Sequence, residues 1–194
     1  MRVRGSYRQG FTTGSVTLVA AQTATAGHIF AVRNKSEAVK AVIRAVEVEF
    51  TLTTAFGAAQ RMGFHVHVAR DYTAPHTGAT ALDFTGDTGR RERNYPPSVL
   101  TGRIADTGAL TAGTHALDTN PVALGSAWMG AVGDQLTARR YDFATIDDPN
   151  LSDPRLNGIW LGKDEGLVIQ NLVLMGATGV GLWHFTLEWS EVVD

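Results

Sequence analysis

Large apolar side chains alternate with polar ones near the end of this chain. Trp183, Phe185, Leu187 and Trp189 fall on one side, and His184, Thr186, Glu188 and Ser190 on the other. A period of two over that length predicts a half-buried β-strand. Each large side chain on its inner face is worth roughly 1.5–3 kcal/mol when buried. Leu167, Ile169, Asn171 and Val173 repeat the pattern just upstream. The intervening Gly176-Ala177-Thr178-Gly179 is short enough to predict an antiparallel hairpin between the two runs.

Further strand-like runs precede them. Ser15 to Ala20 is short and apolar, and Gly27 to Arg33 reads as a strand. Ala41 to Thr53 is the longest run: Val42, Val46, Val48, Phe50 and Leu52 share one face, and Ile43, Ala45, Glu47, Glu49 and Thr51 the other. Ser36-Glu37-Ala38 has the composition of a helix start, so a helix over Ser36 to Ala45 competes with the first part of that strand. Gly63 to Arg70 sets Phe64, Val66 and Val68 against His65, His67 and Ala69, and Thr80 to Thr85 and Ser98 to Ala105 add short candidates. Ala123 to Leu136, interrupted by Gly125, Gly130 and Gly133, reads as loop or broken turn.

Turn clusters separate the runs at Asp71 to Gly78, Gly86 to Pro97, Asp106 to Gly108, Thr111 to Thr114 and Asp147 to Pro154; the two around residue 110 flank an expected hairpin. Short strands with regular turn signals and no βα alternation predict an all-β fold, an antiparallel β-sandwich of jelly-roll type. Residues 13–194 form the sandwich domain in this reading. Residues 1–12, with Arg2, Arg4 and Arg8 among small and polar neighbours, form an extended N-terminal arm held by a neighbouring subunit.

Composition narrows the chemistry. The 194 residues form one domain and include no cysteine, which excludes disulfides, thiolate metal sites and a thiol nucleophile. A net charge of −2 gives no general attraction to nucleic acid or acidic lipid. Charged residues make up 19%, below the ~25% of an average domain. Such a surface suits packing against neighbours. The opening residues lack the apolar core of a signal peptide, and no run reaches the ~18 apolar residues of a membrane span. The expectation is a protein with no membrane and no direct nucleic-acid partner.

Candidate chemistry is sparse. His65 and His67 flank Val66, so on a strand both imidazoles project from one face and are the only spacing that hints at a metal, with Glu47 or Glu49 as a third ligand if their strand is adjacent. The competing reading is a polar outer face, and His28, His76, His115 and His184 look scattered. Gly176 to Gly181 and Gly86 to Arg91 lack the Lys-Ser/Thr ending and strand-to-helix setting of a phosphate loop. No serine sits in a nucleophile elbow, and Asp164 and Glu165 read as solvated turn carboxylates. No catalytic residue and no cofactor are expected. Arg90, Arg91 and Arg93 form the densest basic cluster. With Arg2, Arg4 and Arg8 they are the candidates for subunit contact.

Leu161-Gly-Lys-Asp-Glu-Gly-Leu-Val-Ile-Gln-Asn171, with Trp183-His-Phe-Thr-Leu-Glu-Trp-Ser-Glu191, resembles the closing strands of virion structural proteins of tailed bacteriophages. Val32-Arg-Asn34, the long strand to Thr53, and Phe56 to Phe64 are similar to the same group, so the resemblance runs from about Ala31 onward. Within that group the capsid decoration, or cement, proteins match the size. The resemblance implies a protein made in the host cytoplasm and bound to the outer surface of the virion shell. There it would clamp major capsid protein subunits, itself a trimer rather than a dimer. A tail, neck or fibre domain binding a receptor or glycan is the alternative, with Tyr72, Tyr95 and Tyr141 as its loop aromatics. A cupin-like metal enzyme resting on His65 and His67 is the second alternative.

Overall fold

The structure, a computed structural model, describes residues 2–17, 27–86, 89–143, 157–171 and 179–193. Its strands are β1 (Arg2–Thr12), β2 (His28–Asn34), β3 (Val39–Thr54), β4 (Gln60–Arg70), β5 (Thr80–Leu82), β6 (Leu100–Ile104), β7 (Ala116–Leu117), β8 (Ala123–Met129), β9 (Gln135–Asp142), β10 (Ile159–Leu161), β11 (Glu165–Asn171) and β12 (Val180–Val193). They build a five-stranded sheet ordered β1-β12-β3, with β9 and β10 both on the far side of β3. The other sheet is seven-stranded and ordered β5-β6-β2-β11-β4, with β7 and β8 both on the far side of β4.

The pairs β1·β12, β2·β11, β3·β9 and β4·β8 nest inside one another as one long antiparallel ribbon. The cross-pairs β12·β3 and β11·β4 roll that ribbon into two sheets. Taken in chain order, these eight strands give sheets 1-8-3-6 and 2-7-4-5, the double Greek key of a jelly roll. The fold class is therefore all-β and jelly-roll-like, as the alternation predicts. Its core is one cluster spanning both sheets, including Phe30, Phe50, Phe64, Trp183, Phe185 and Trp189.

The register corrects several sequence expectations. The runs ending at Asn171 and starting at Val180 do not form a hairpin, because β11 lies in one sheet between β2 and β4 and β12 in the other between β1 and β3. In a rolled ribbon successive strands alternate sheets, and both inner faces carry the same apolar period. Val173 and the loop Gly176 to Thr178 lie outside the described residues, as do Leu18 to Ala20 and the turn cluster Asp147 to Pro154. No helix forms over Ser36 to Ala45. The Asn34 side chain instead accepts from Ser36 N (2.9 Å) and donates to the carbonyls of Val39 (2.8 Å) and Leu161 (3.0 Å), which turns the chain straight into β3.

Within β3 the faces change hands. Glu188 opposes Ala45 and Trp189 opposes Ile43, so Arg44 is a β-bulge. Ala41 and Ile43 face the core before it, and Val46, Val48, Phe50 and Leu52 after it. Val42 is turned outward against Val192, Val3 and Trp160. Ala123 to Leu136, read as loop, holds β8 and the start of β9. Residues around 110 form no hairpin of their own, since Leu110 bridges His28 and Thr111 bridges Thr77.

The N-terminal segment read as an arm is an edge strand of its own sheet. β1 pairs with β12 from Arg2↔Val193 to Thr12↔His184, and it contributes Tyr7 and Phe11 to the core.

Between β4 and β8 the chain makes an excursion, residues 71–122, that carries β5, β6 and β7. It crosses the outer face of the seven-stranded sheet and covers it with a second small core. Ala31, Val168 and Ala69 of the sheet lie under Tyr72, Leu110 and Leu117. Tyr72 seats on Gly166, where a Cβ would come within 2.6 Å of its ring. The outgoing and returning segments are zipped together by Thr73 N to Thr114 O (3.0 Å), Thr114 N to Ala74 O (3.1 Å) and Thr77 N to Thr111 O (3.0 Å). Gly113 permits that approach, since a Cβ there would meet Ala74 O at 2.1 Å.

Candidate functional site

Two groups of polar side chains stand out, one on each sheet. The first joins the two arginine groups that are remote in sequence. Residues 90 and 91 run along the open edge of β1: Tyr7 bridges Arg90, and Arg91 N donates to Ser6 O (3.0 Å). On the outer face of the five-stranded sheet, Glu188 then receives Arg140 (2.7 Å), Arg91 (2.8 Å) and Arg8 (3.4 Å), with its own side chain 7% exposed. The hydrogen bond from Arg140 and the surrounding guanidinium charges hold its carboxyl below the ordinary range. Asp142 also reaches Arg140 (3.8 Å), and Glu47 lies opposite Arg140 on β3, so the cations sit in a mixed network of charges. Arg140 was missed by sequence reasoning, because its strand was not connected to β12.

Arg4 turns inward instead, to the buried Glu191. That carboxylate also accepts from Ser98 Oγ (2.5 Å) and Val99 N (2.8 Å). Tyr7 stacks on Trp189 with ring centroids 5.0 Å apart and donates to Pro96 O (2.8 Å). Arg90 reaches Thr85 O (3.0 Å), and Arg2 and Arg93 are exposed.

The second group lies under the excursion. His28 opens β2, and His76 and His115 come from the two zipped crossing segments. One ligand nitrogen from each lies within 4.8 Å of the other two. His28 Nδ1 and His76 Nε2 are 2.5 Å apart, and the Tyr72 hydroxyl meets His76 Nδ1. His115 Nδ1–H donates to Gly113 O (3.1 Å), while its buried Nε2 has no hydrogen-bond partner. Burial pushes His76 down to about 3, helped by the neighbouring imidazoles, and it lowers His115 as well. Tyr72 is pushed up to about 12 by the same burial. Two of the three imidazoles, His76 and His115, are thus held neutral beside a protonated phenol. A cavity of about 260 Å³, lined by Arg33, Lys35, Tyr72, His76 and Arg103 among others, adjoins it.

Three of the four histidines that look scattered in the sequence are therefore the ones brought together, and His184 stays apart on β12. His65 and His67 do share a face, with ring centroids 5.7 Å apart. However, β4 is flanked by β11 and β8, whereas Glu47 and Glu49 lie on β3 in the other sheet, opposite Thr186 and His184 respectively. They cannot complete a site with the pair. His67 Nδ1 contacts Asp118 O (2.9 Å). Among the described residues, His28, His76 and His115 form the metal-capable group. Of the aromatics read as loop residues, Tyr72 is buried under the excursion, Tyr141 belongs to β9, and Tyr95 lies in the loop before β6.

A third feature is apolar and exposed. β8 turns Ala123 and Met129 inward, but Leu124 (51% exposed) and Trp128 (74%) outward, and Val132 (65%) follows in the turn to β9. Leu124 and Trp128 sit on the wet face while Ala123 and Gly125 are inside, which inverts the usual signal over most of the strand.

No protein-family model matches the chain, and no curated protein sequence matches it. Among solved structures it is similar to the VP1 protein of Trichodysplasia spinulosa-associated polyomavirus in complex with 3'-sialyllactose, at a TM-score of 0.35 and 9% identity over 98% of this chain and 96% of that one. It is also similar to Merkel cell polyomavirus VP1 in complex with disialyllactose, at a TM-score of 0.33 and 10% identity over the same shares of the two chains. Likeness at this level carries no assignment of function.

Proposed function

We propose that this chain is a virion structural protein, a capsid decoration or cement protein that sits on the outer face of the shell and bridges major capsid protein subunits. The observation that carries the reading is the exposure of Leu124 and Trp128 on a strand at the edge of the sandwich, with Val132 in the turn that follows. An exposed tryptophan with exposed aliphatic residues on either side of it in sequence is typical of a docking anchor. The jelly roll is a shared scaffold of capsid proteins, lectins and metal enzymes and does not choose among them. The resemblance of residues 161–171 and 183–191 to tailed-phage virion proteins favours the first. In this reading Trp128 enters the capsid contact, and the exposed Arg2, Arg8, Arg91 and Arg93 face a neighbouring copy in a trimer. Many such weak contacts over a shell add to firm attachment.

The test is binding of the purified chain to shells that lack it. Trp128→Glu is expected to reduce binding at least tenfold while leaving the melting temperature within a few degrees of the parent. Unchanged binding by that variant would overturn the docking assignment. Counting the chain against the major capsid protein in purified particles separates the alternative. A ratio near that of the shell subunits supports decoration, and a few copies per particle would move the chain to the tail, neck or fibre.

A further inference from the structure

We propose that His28, His76 and His115 form a zinc site that fastens the excursion to the outer face of the seven-stranded sheet. The ligands come from three separate places, β2 and the two crossing segments. Three imidazole nitrogens are a ligand set that zinc accepts, with water in the fourth position. Ring nitrogens bound to one tetrahedral zinc lie about 3.3 Å apart, given Zn–N bonds of about 2.0–2.1 Å. The separations here run from 2.5 Å between His28 and His76 to at most 4.8 Å across the group. Small side-chain rotations therefore bring all three to bonding distance.

The protons are already close to where a metal needs them. His28 and His76 are 0% and 1% exposed, and burial keeps His76 neutral throughout the ordinary pH range. His115 donates its Nδ1–H to Gly113 O, which leaves a lone pair on the buried and unpartnered Nε2. With His28 protonated on Nε2, the row without metal runs from the Tyr72 hydroxyl to His76 Nδ1 and from His76 Nε2–H to His28 Nδ1. For all three to ligate, the His76 proton moves from Nε2 to Nδ1 and the Tyr72 hydroxyl turns to accept it. No net proton is lost, and no oxidant or further reactant is needed. Tyr72 then orients His76 as outer-shell partners of metal-bound histidines do, which makes it a positioning residue.

A hydrogen-bonded imidazole cluster without metal is the competing account, and the two part on measurement. The tag-free full chain, stripped with a chelator and titrated with zinc sulfate at neutral pH, is expected to take up one zinc per chain at micromolar concentration or below. Its melting temperature should rise with zinc, because a ligand that binds the folded state stabilises it. Cobalt(II) in place of zinc should give the intense visible absorption of a tetrahedral site. His115→Gln, at the most accessible of the three positions, should weaken zinc binding at least tenfold. Tyr72→Phe should weaken it less and shift the cobalt spectrum. The double variant His65→Gln/His67→Gln should bind as the parent does. Absence of stoichiometric zinc, a cobalt spectrum of the octahedral aquo ion, or parental affinity in His115→Gln would each overturn the site. The first two readouts need no variant, so misfolding of a variant leaves the outcome decided.

Discussion

The two sheets share one core but treat their outer faces in opposite ways. The five-stranded sheet keeps the charges of its outer face by compensation: Glu188 is held by Arg8, Arg91 and Arg140. The seven-stranded sheet covers its outer face with residues of the 71–122 excursion and, beside the buried guanidinium of Arg33 on the Tyr72 carbonyl, keeps histidines neutral. His76 and His115 are both depressed by burial. Both solutions follow from dielectric cost. A charge near water is stable when paired, whereas an imidazole beneath a second layer is cheaper without its proton. The proposed contact between copies uses the first face, and the proposed zinc site the second.

The largest effect should come where the charged solution has been carried into the core. Glu191 is fully buried and takes bonds from Arg4, Ser98 and Val99. Glu191→Ala strips all of them at once and leaves the Ser98 hydroxyl and Val99 N–H without an acceptor. Removing one partner of a buried pair costs about 3–5 kcal/mol. Urea unfolding should place the variant in that range, toward the lower end because the Arg4 side chain keeps 23% exposure and can rehydrate. A loss below about 1 kcal/mol would mean that the compensation is not specific to this geometry.

A pH series sharpens the contrast between the faces. An unfolded-state histidine titrates near about 6.5, and His76 in the folded protein only at about 3. Between those values the unfolded chain holds a proton that the native chain does not, so stability rises with pH there and falls on acidification. The slope reaches about 1.4 kcal/mol per pH unit for one such histidine. Glu188 is also depressed in the folded state, but from the carboxylate range, so its contribution is present above that range and is lost only at lower pH. In metal-free protein the seven-stranded side should therefore weaken first as pH drops from 7 to 5. Chemical denaturation across that window should show the slope, and His76→Gln should flatten it by about one proton.

How much of this was readable beforehand depends on whether a signal is local. The alternation of Trp183 to Trp189 and of Phe64 to Val68 is local, and both segments are strands with the expected faces. The Arg44 bulge is not, because it is defined only against β12, and so Val42 and Ile43 were placed on the wrong faces. β8 was hidden because Leu124 and Trp128 point outward and Gly125 inward. The histidine cluster carries no spacing at all. His28, His76 and His115 meet only once the excursion has crossed the sheet and closed on itself at Gly113, whereas His65 and His67, which do have a spacing, gain no third ligand from β3. The two arginine groups were each visible, but their meeting on Glu188 required the pairing of β1 with β12.

The smallest effect is expected on the exposed face, and it isolates what the arginines are for. Glu188→Gln keeps the shape and a hydrogen-bond acceptor but removes the charge that Arg8, Arg91 and Arg140 share. Bonds to charged groups contribute about 1.5–3 kcal/mol each when buried, but these guanidiniums are 40–54% exposed and return readily to water. The expected loss is therefore about 1 kcal/mol at low salt, shrinking as added salt screens the remaining repulsion among the three cations. That salt dependence distinguishes Glu188 from the buried histidines of the other sheet, since His76 and His115 are held without a proton and offer no charge to screen. If Glu188→Gln lost as much as Glu191→Ala and did so at every salt concentration, the outer face would be held by packing rather than charge, and the contrast between the sheets would fail. If the variant stays folded and its self-association weakens, the carboxylate holds the arginines in the arrangement a neighbouring copy meets.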